Sequence, residues 1–229
     1  MFGKKNLVLA AHPDDEMLGC GGTLARLRAS GASVSILLLG EGPTSRCGSD
    51  TSGIEFVQSD SRLAAQKAAE VLGITDVRFL NLPDNRFDEL PLLNVVQAIE
   101  KAIVDIAPDT VLTHFSGDLN IDHQITCRAA STAFRPLPGE KPVTLLGFEV
   151  LSSTEYTPPY VGVAFQPSLY VDISDYLPLK QEALRAYAEE MRDWPHPRSY
   201  EAVEHLARLR GCHCGVAAAE AFVVYRHII

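Results

Sequence analysis

Residues 12–16 read His-Pro-Asp-Asp-Glu, one imidazole and three carboxylates in succession around a proline. Like charges held this close raise one another's pKa, so the cluster is costly unless something positive neutralises it. A divalent metal does so economically. Imidazole with carboxylate suits Zn2+, and a position stays open for water when only three protein groups bind. His12 and Asp15 stand three apart, so one turn can bring both side chains to a point. Asp14, pointing elsewhere, could stay uncoordinated and serve as a base. The competing reading is an exposed acidic turn that caps the following helix, where carboxylates favour the N-terminal dipole.

A second polar cluster spans residues 114–123, His-Phe-Ser-Gly-Asp-Leu-Asn-Ile-Asp-His. His123 could supply a third ligand, and Asp122 or Asp118 could orient a ligating imidazole from behind. His114 could sit near the reacting group or simply make a strand-end hydrogen bond. His196 lies in Trp194-Pro195-His196-Pro197-Arg198. Prolines on both sides fix its backbone in a loop, which makes it a candidate proton donor; the plain alternative is a surface loop histidine. Arg46 or Arg198 could form a local anion site, because a guanidinium binds carboxylate or phosphate through two parallel hydrogen bonds.

These residues need elements to position them. Continuous apolar runs at residues 6–12 and 33–40 predict strands buried on both faces. Further strands are predicted around VRFLNLP (residues 77–83), at TVLTH (110–114), at LLGFEVL (145–151), at LYVDIS (169–174), and over the closing run from 219. Helices are predicted from Met17 to a Gly31 stop, at 59–73, 92–108, 122–134, 179–191 and 200–209. Residues 41–53, rich in Gly, Ser and Thr, read as a loop. Strands alternating with helices predict an α/β, Rossmann-like fold: a mostly parallel sheet with helices on both faces, as one domain over 1–229. In such folds ligands sit at the carboxyl ends of strands, where residues 12–16, 41–46 and 114–123 fall.

Composition sets the outer limits. The 229 residues carry 20 Lys and Arg against 29 Asp and Glu, a net charge of −9. That balance argues against nucleic-acid binding and against adhesion to an anionic membrane, since both need a basic face. The five cysteines are odd in number and form no CxxC pair, so no disulfide framework is expected. The first apolar run is too short for a secretory signal or a membrane span, and the chain reads as cytoplasmic. A homo-oligomer stays open.

The segments Ala11-His12-Pro13-Asp14-Asp15-Glu16, Leu18-Gly19-Cys20-Gly21-Gly22-Thr23, and Thr113-His114 with Asp118 and Asp122-His123 together resemble the PIG-L (LmbE-like) family of zinc-dependent N-deacetylases. Arg210-Gly211 and Ala219-Glu220-Ala221-Phe222 resemble bacterial members that act on sugars or glycans. The resemblance covers nearly the whole chain. It implies a zinc bound by His12, Asp15 and His123, Asp14 as general base, and an N-acetylated amino sugar or sugar conjugate as substrate. It also implies that the Arg46 loop looks toward substrate, with position 120 on the substrate side. Members with a His-Pro-Asp-His element carry a histidine three residues before the last ligand, and here that position is Asn120. Proton delivery to the leaving amine then falls to Asp14 or to His196.

Two other classes compete. A dinucleotide-binding module would use Gly19, Gly21 and Gly22 after the first strand, but the G-x-G-x-x-G spacing fails at Leu24. A noncatalytic sugar- or metal-binding protein would not need the spare carboxylate of Asp14. Cys212-His213-Cys214 cannot close a tetrahedral zinc site alone and reads as a helix end.

Overall fold

The computed structural model describes residues 2–44, 51–158 and 163–228. Seven strands form one sheet: β1 (Lys5–Ala10), β2 (Ser33–Gly40), β3 (Asp76–Leu82), β4 (Thr110–His114), β5 (Thr144–Phe148), β6 (Leu169–Asp172) and β7 (Ala219–Arg226). Their order across the sheet is β3-β2-β1-β4-β5-β7-β6. The first five pair in parallel, and β7 runs antiparallel to both β5 and β6. This is the expected Rossmann-like α/β arrangement, with one reversed strand near the edge.

Apolar residues on both faces of the central strands explain the two layers. In β1, Val8 and Ala10 enter one core cluster while Leu7 and Leu9 enter the other. In β2, Ile36 and Leu38 divide from Leu37 and Leu39 in the same way. A strand period of two sends successive side chains to opposite faces, so a strand apolar throughout must be covered twice. One layer holds α1 (Asp15–Ala29), α2 (Thr51–Val71), α5 (Leu177–Leu184) and α6 (Tyr200–Cys214); the other holds α3 (Leu92–Ala102) and α4 (Ile121–Ala133).

Several boundaries differ from expectation. Helix α2 begins at Thr51 rather than 59, and α3 stops at Ala102 rather than running to Pro108. The residue before a proline is disfavoured in helical conformation, and Ala107 takes φ 46. Helix α5 ends at Leu184, short of 191, whereas α6 continues to Cys214 and stops at Gly215, φ 77.

Helix α1 begins at Asp15 and is broken at Cys20 (φ −146, ψ 15). A buried ion pair bridges the break. Lys180 Nζ donates to the Leu18 carbonyl at 2.8 Å and to Glu220 Oε1 at 2.6 Å. Glu220 in turn accepts from the backbone N–H groups of Gly22 (2.9 Å) and Thr23 (2.6 Å). The pair thus replaces helical hydrogen bonds lost at the break. Gly19, just before it, lies so close to Phe148 that a Cβ would come within 2.3 Å of that ring.

The strand order reverses direction between β1 and β4, which are neighbours although far apart in sequence. The crevice at their carboxyl ends is where such sheets bind ligands. Residues 12–16 leave β1 and residues 115–123 leave β4 into that crevice.

Candidate active site

Asp15 sits at the centre and is fully buried. Its Oδ2 accepts the His12 backbone N–H at 2.8 Å and lies 3.3 Å from His12 Nδ1 and 3.2 Å from His123 Nε2. The three side chains offer ligand atoms that all fall within 4.8 Å of one another. Tetrahedral ligands about 2.0–2.1 Å from zinc lie about 3.3 Å apart, close to the two separations just given. Asp15 Oδ1 and His123 Nε2 are buried without any hydrogen-bond partner. Buried polar atoms are normally satisfied, so two orphans on members of this donor set fit a cation.

Each histidine is oriented from behind. His12 Nε2 lies 2.9 Å from Asp122 Oδ2 and 3.5 Å from Asp84 Oδ1, which turns Nδ1 toward Asp15. Asp122 is itself held by the backbone N–H groups of Asn85 (2.7 Å) and Phe87 (2.9 Å). His123 Nδ1 lies 3.1 Å from Asp118 Oδ1, and Asp118 also accepts from Thr154 Oγ1 at 2.6 Å and from the Ser153 hydroxyl. A carboxylate on the far nitrogen fixes the ring and raises its basicity.

The charges agree with a cation at this point. Burial disfavours charge on His12, yet Asp122, Asp15 and Asp84 outweigh it and push the pKa up to about 10. Burial opposes the charge on His123 too, and Asp15 and Asp118 still raise it to about 9. Burial works against the Asp15 anion, but His123 and His12 hold its pKa well below the carboxylate range. The carboxylates therefore favour positive charge between them.

Asp14 is 2% exposed and takes φ 112, a left-handed backbone that a non-glycine residue rarely adopts. Glu16 supports this bend, since its Oε2 accepts the Asp14 N–H at 3.0 Å. Glu16 Oε1 accepts from the Tyr187 hydroxyl at 2.5 Å. Burial pushes the Glu16 carboxyl up to about 8, against the hydrogen bond from Tyr187. Arg198 Nη1 donates to Asp14 Oδ2 at 2.6 Å, while Asp14 Oδ1 has no hydrogen-bond partner. Burial raises the Asp14 pKa, Arg198 lowers it and Asp15 and Glu190 raise it, leaving it at about 7. A carboxylate poised there can both take and return a proton near neutrality.

These groups border a cavity of about 410 Å³ lined by His12, Pro13, Asp14, Pro43, Asp84, Asn85, Asn120, Glu190 and Arg198. Asn120 caps α4, its Oδ1 accepting the Asp122 N–H at 2.8 Å, while its side chain also lines the cavity. Gly40 closes the neighbouring wall: a Cβ there would meet the Ala11 carbonyl at 2.8 Å and His12 Cδ2 at 3.2 Å.

Two residues fall on the plainer of the readings open to them, His114 as a strand-end hydrogen-bonding group and His196 as an exposed loop histidine. His114 is 0% exposed. Its Nε2 accepts the Ala11 N–H at 2.8 Å and its ring stacks on His123 at 3.9 Å. A backbone N–H can only donate, so His114 is neutral, and burial lowers its pKa in the same sense. His196 is absent from the cavity beside Asp14; it is exposed, and its Nδ1 accepts the Arg198 N–H at 3.0 Å. Arg46 lies outside the described residues. Glu16, Asp84, Tyr187 and Glu190 join the site without having been singled out for these roles. Glu16 was visible beside Asp15; the others are brought in by the fold.

The chain matches the PIG-L family, described as GlcNAc-PI de-N-acetylase, over residues 7–134. The chain belongs to the PIG-L family. Diacetylchitobiose deacetylase of Thermococcus kodakarensis is 29% identical over 82% of this chain and 70% of its own. The crystal structure of the conserved protein TT1542 from Thermus thermophilus superposes with a TM-score of 0.74, at 28% identity, covering 100% of this chain and 97% of that one. GalB, the 4-carboxy-2-hydroxymuconate hydratase of Pseudomonas putida KT2440, reaches a TM-score of 0.78 at 21% identity, over 98% of both chains. The fold is thus shared with a hydratase, and reaction chemistry must be argued from the residues. PIG-L deacetylases are metal-dependent, in keeping with the donor set at His12, Asp15 and His123. Among the described residues no helix is long and apolar enough to cross a membrane.

Proposed function

We propose that the protein is a zinc-dependent N-deacetylase that removes the acetyl group from an N-acetylated amino sugar or sugar conjugate. The observation that carries this reading is the Asp14 carboxylate. It is buried beside the donor set, held at one oxygen by Arg198, and has its other oxygen without a protein partner. A site that only stored a metal would have no use for such a group.

His12, Asp15 and His123 would hold the zinc, which when bound supplies a Lewis acid that polarises the acyl carbonyl and acidifies the attacking water. Asp118 and Asp122 keep the two imidazoles turned toward it. Asp14 Oδ1 takes the proton from water as the carbonyl carbon is attacked. The C–N bond then breaks, and Asp14 returns the same proton to the departing amine. Asn120 stands where a histidine could otherwise have assisted, and an amide side chain has no proton to give at neutral pH. Names of relatives support the acetyl-sugar substrate, diacetylchitobiose being one example.

Acetate release from a panel of N-acetylated sugars, with zinc added and again with a chelator, tests the reading. Chelator-sensitive release from at least one sugar is expected. No release from any, with zinc bound stoichiometrically, would overturn it.

A further inference from the structure

The cleft does not end at Asp14. Glu190 and Arg198 also border a second cavity of about 560 Å³, whose other walls are Ser152, Tyr156, Arg192 and His196. Resting on the deacetylase reading above, we infer that this outer cavity is a subsite for an anionic group, so that the substrate is an N-acetylated sugar carrying a carboxylate or phosphate substituent.

The outer walls are rich in donors. Arg192 Nη1 is anchored by the carbonyls of Glu189 (2.6 Å) and Met191 (2.8 Å). Arg192 makes no ion pair with any described residue, although the protein carries a net charge of −9. Arg198 is different, since Asp14 and Glu190 stand 2.6 and 3.6 Å from its Nη1 and balance its charge. His196 Nδ1 already accepts the Arg198 N–H, so the neutral ring carries its proton on Nε2 as a further donor. Tyr156 is 51% exposed and adds a phenol and an aromatic face. Ser152 Oγ accepts from Arg198 Nε at 2.8 Å, which leaves its hydroxyl proton to donate. Among the described residues of the wall the one carboxylate, Glu190, faces Arg198. A neutral sugar would leave the Arg192 fork unmatched, whereas a carboxylate or phosphate pairs with it through charge-assisted hydrogen bonds. On this reading His196 is a wall of the subsite rather than a proton donor.

Binding to the Asp14→Asn protein reads the subsite without turnover. The zinc-loaded variant is titrated calorimetrically with N-acetylglucosamine 1-phosphate, N-acetylmuramic acid and the neutral methyl N-acetylglucosaminide. At least one charged sugar should bind about tenfold more tightly than the neutral one, the scale of one charge-assisted contact. Which one does so assigns the subsite to phosphate or carboxylate. The advantage should shrink between about 50 mM and about 500 mM salt. Adding Arg192→Gln should bring the charged-to-neutral ratio close to one. Equal affinities for all three sugars, or a preference that survives Arg192→Gln, would overturn the subsite. An Arg192-dependent preference in a wild-type enzyme that deacetylates no sugar would overturn the deacetylase reading instead, and leave the subsite standing.

Discussion

Arg198 reaches back across the molecule to donate from Nη1 to Asp14 Oδ2 at 2.6 Å, and so decides which oxygen of that carboxylate can act as a base. Because Arg198 lowers the Asp14 pKa, its removal raises it. A base is active when ionised, so a raised pKa costs activity on the acidic side. In Arg198→Gln the acidic limb of the kcat/KM profile should therefore move to higher pH, with activity down about 10²-fold, as expected when a catalytic group loses its positioning. Arg198→Lys should recover part of the loss. An unchanged limb would mean that the ion pair does not govern the base.

Asp14→Asn should reduce turnover by about 10²–10⁴-fold, the range for loss of a general base. Zinc content, measured by atomic emission on the dialysed protein, should match wild type, because Asp14 is outside the donor set. Loss of zinc in step with activity would reassign Asp14 as a ligand.

Asp118 acts through His123, whose Nδ1 it meets at 3.1 Å. Asp118→Asn should weaken metal affinity by about 10–100-fold, as with other outer partners of metal-bound imidazoles. Competition with a chromogenic chelator checks this, and a normal far-ultraviolet spectrum would exclude simple unfolding.

The Lys180–Glu220 pair is buried at both ends, with side chains 5% and 4% exposed. Breaking it in Lys180→Met leaves the buried Glu220 carboxylate without its cation, which should cost about 3–5 kcal/mol in urea denaturation. The double variant Lys180→Met/Glu220→Gln should lose less than the sum of the two single losses, since the partners share one interaction. Strict additivity would show that the two residues act separately.

Much of the scaffold was legible locally. Strands β1 and β2 are apolar on both faces, and that pattern alone demands two covering layers. The direction of β7 was not legible, because its residues suit either orientation and only its pairing with β5 and β6 decides it. The early start of α2 was hidden in a segment rich in Gly, Ser and Thr. The break in α1 was hidden as well, because the groups that stabilise it come from α5 and β7.

The sequence by itself determined the chemical parts: His12, Asp14 and Asp15 after one strand, and Asp118, Asp122 and His123 after another. Short spacings and the ends of strands confine such groups to one place. Only the tertiary structure decided what surrounds them. It buried His114 behind His123, moved His196 into an outer cavity, and brought Arg198 onto Asp14 from 184 positions away. The physical reason is that hydrogen bonds and burial depend on distance in space. Which distant segments become neighbours is set by the order of strands in the sheet, which no local pattern of residues contains.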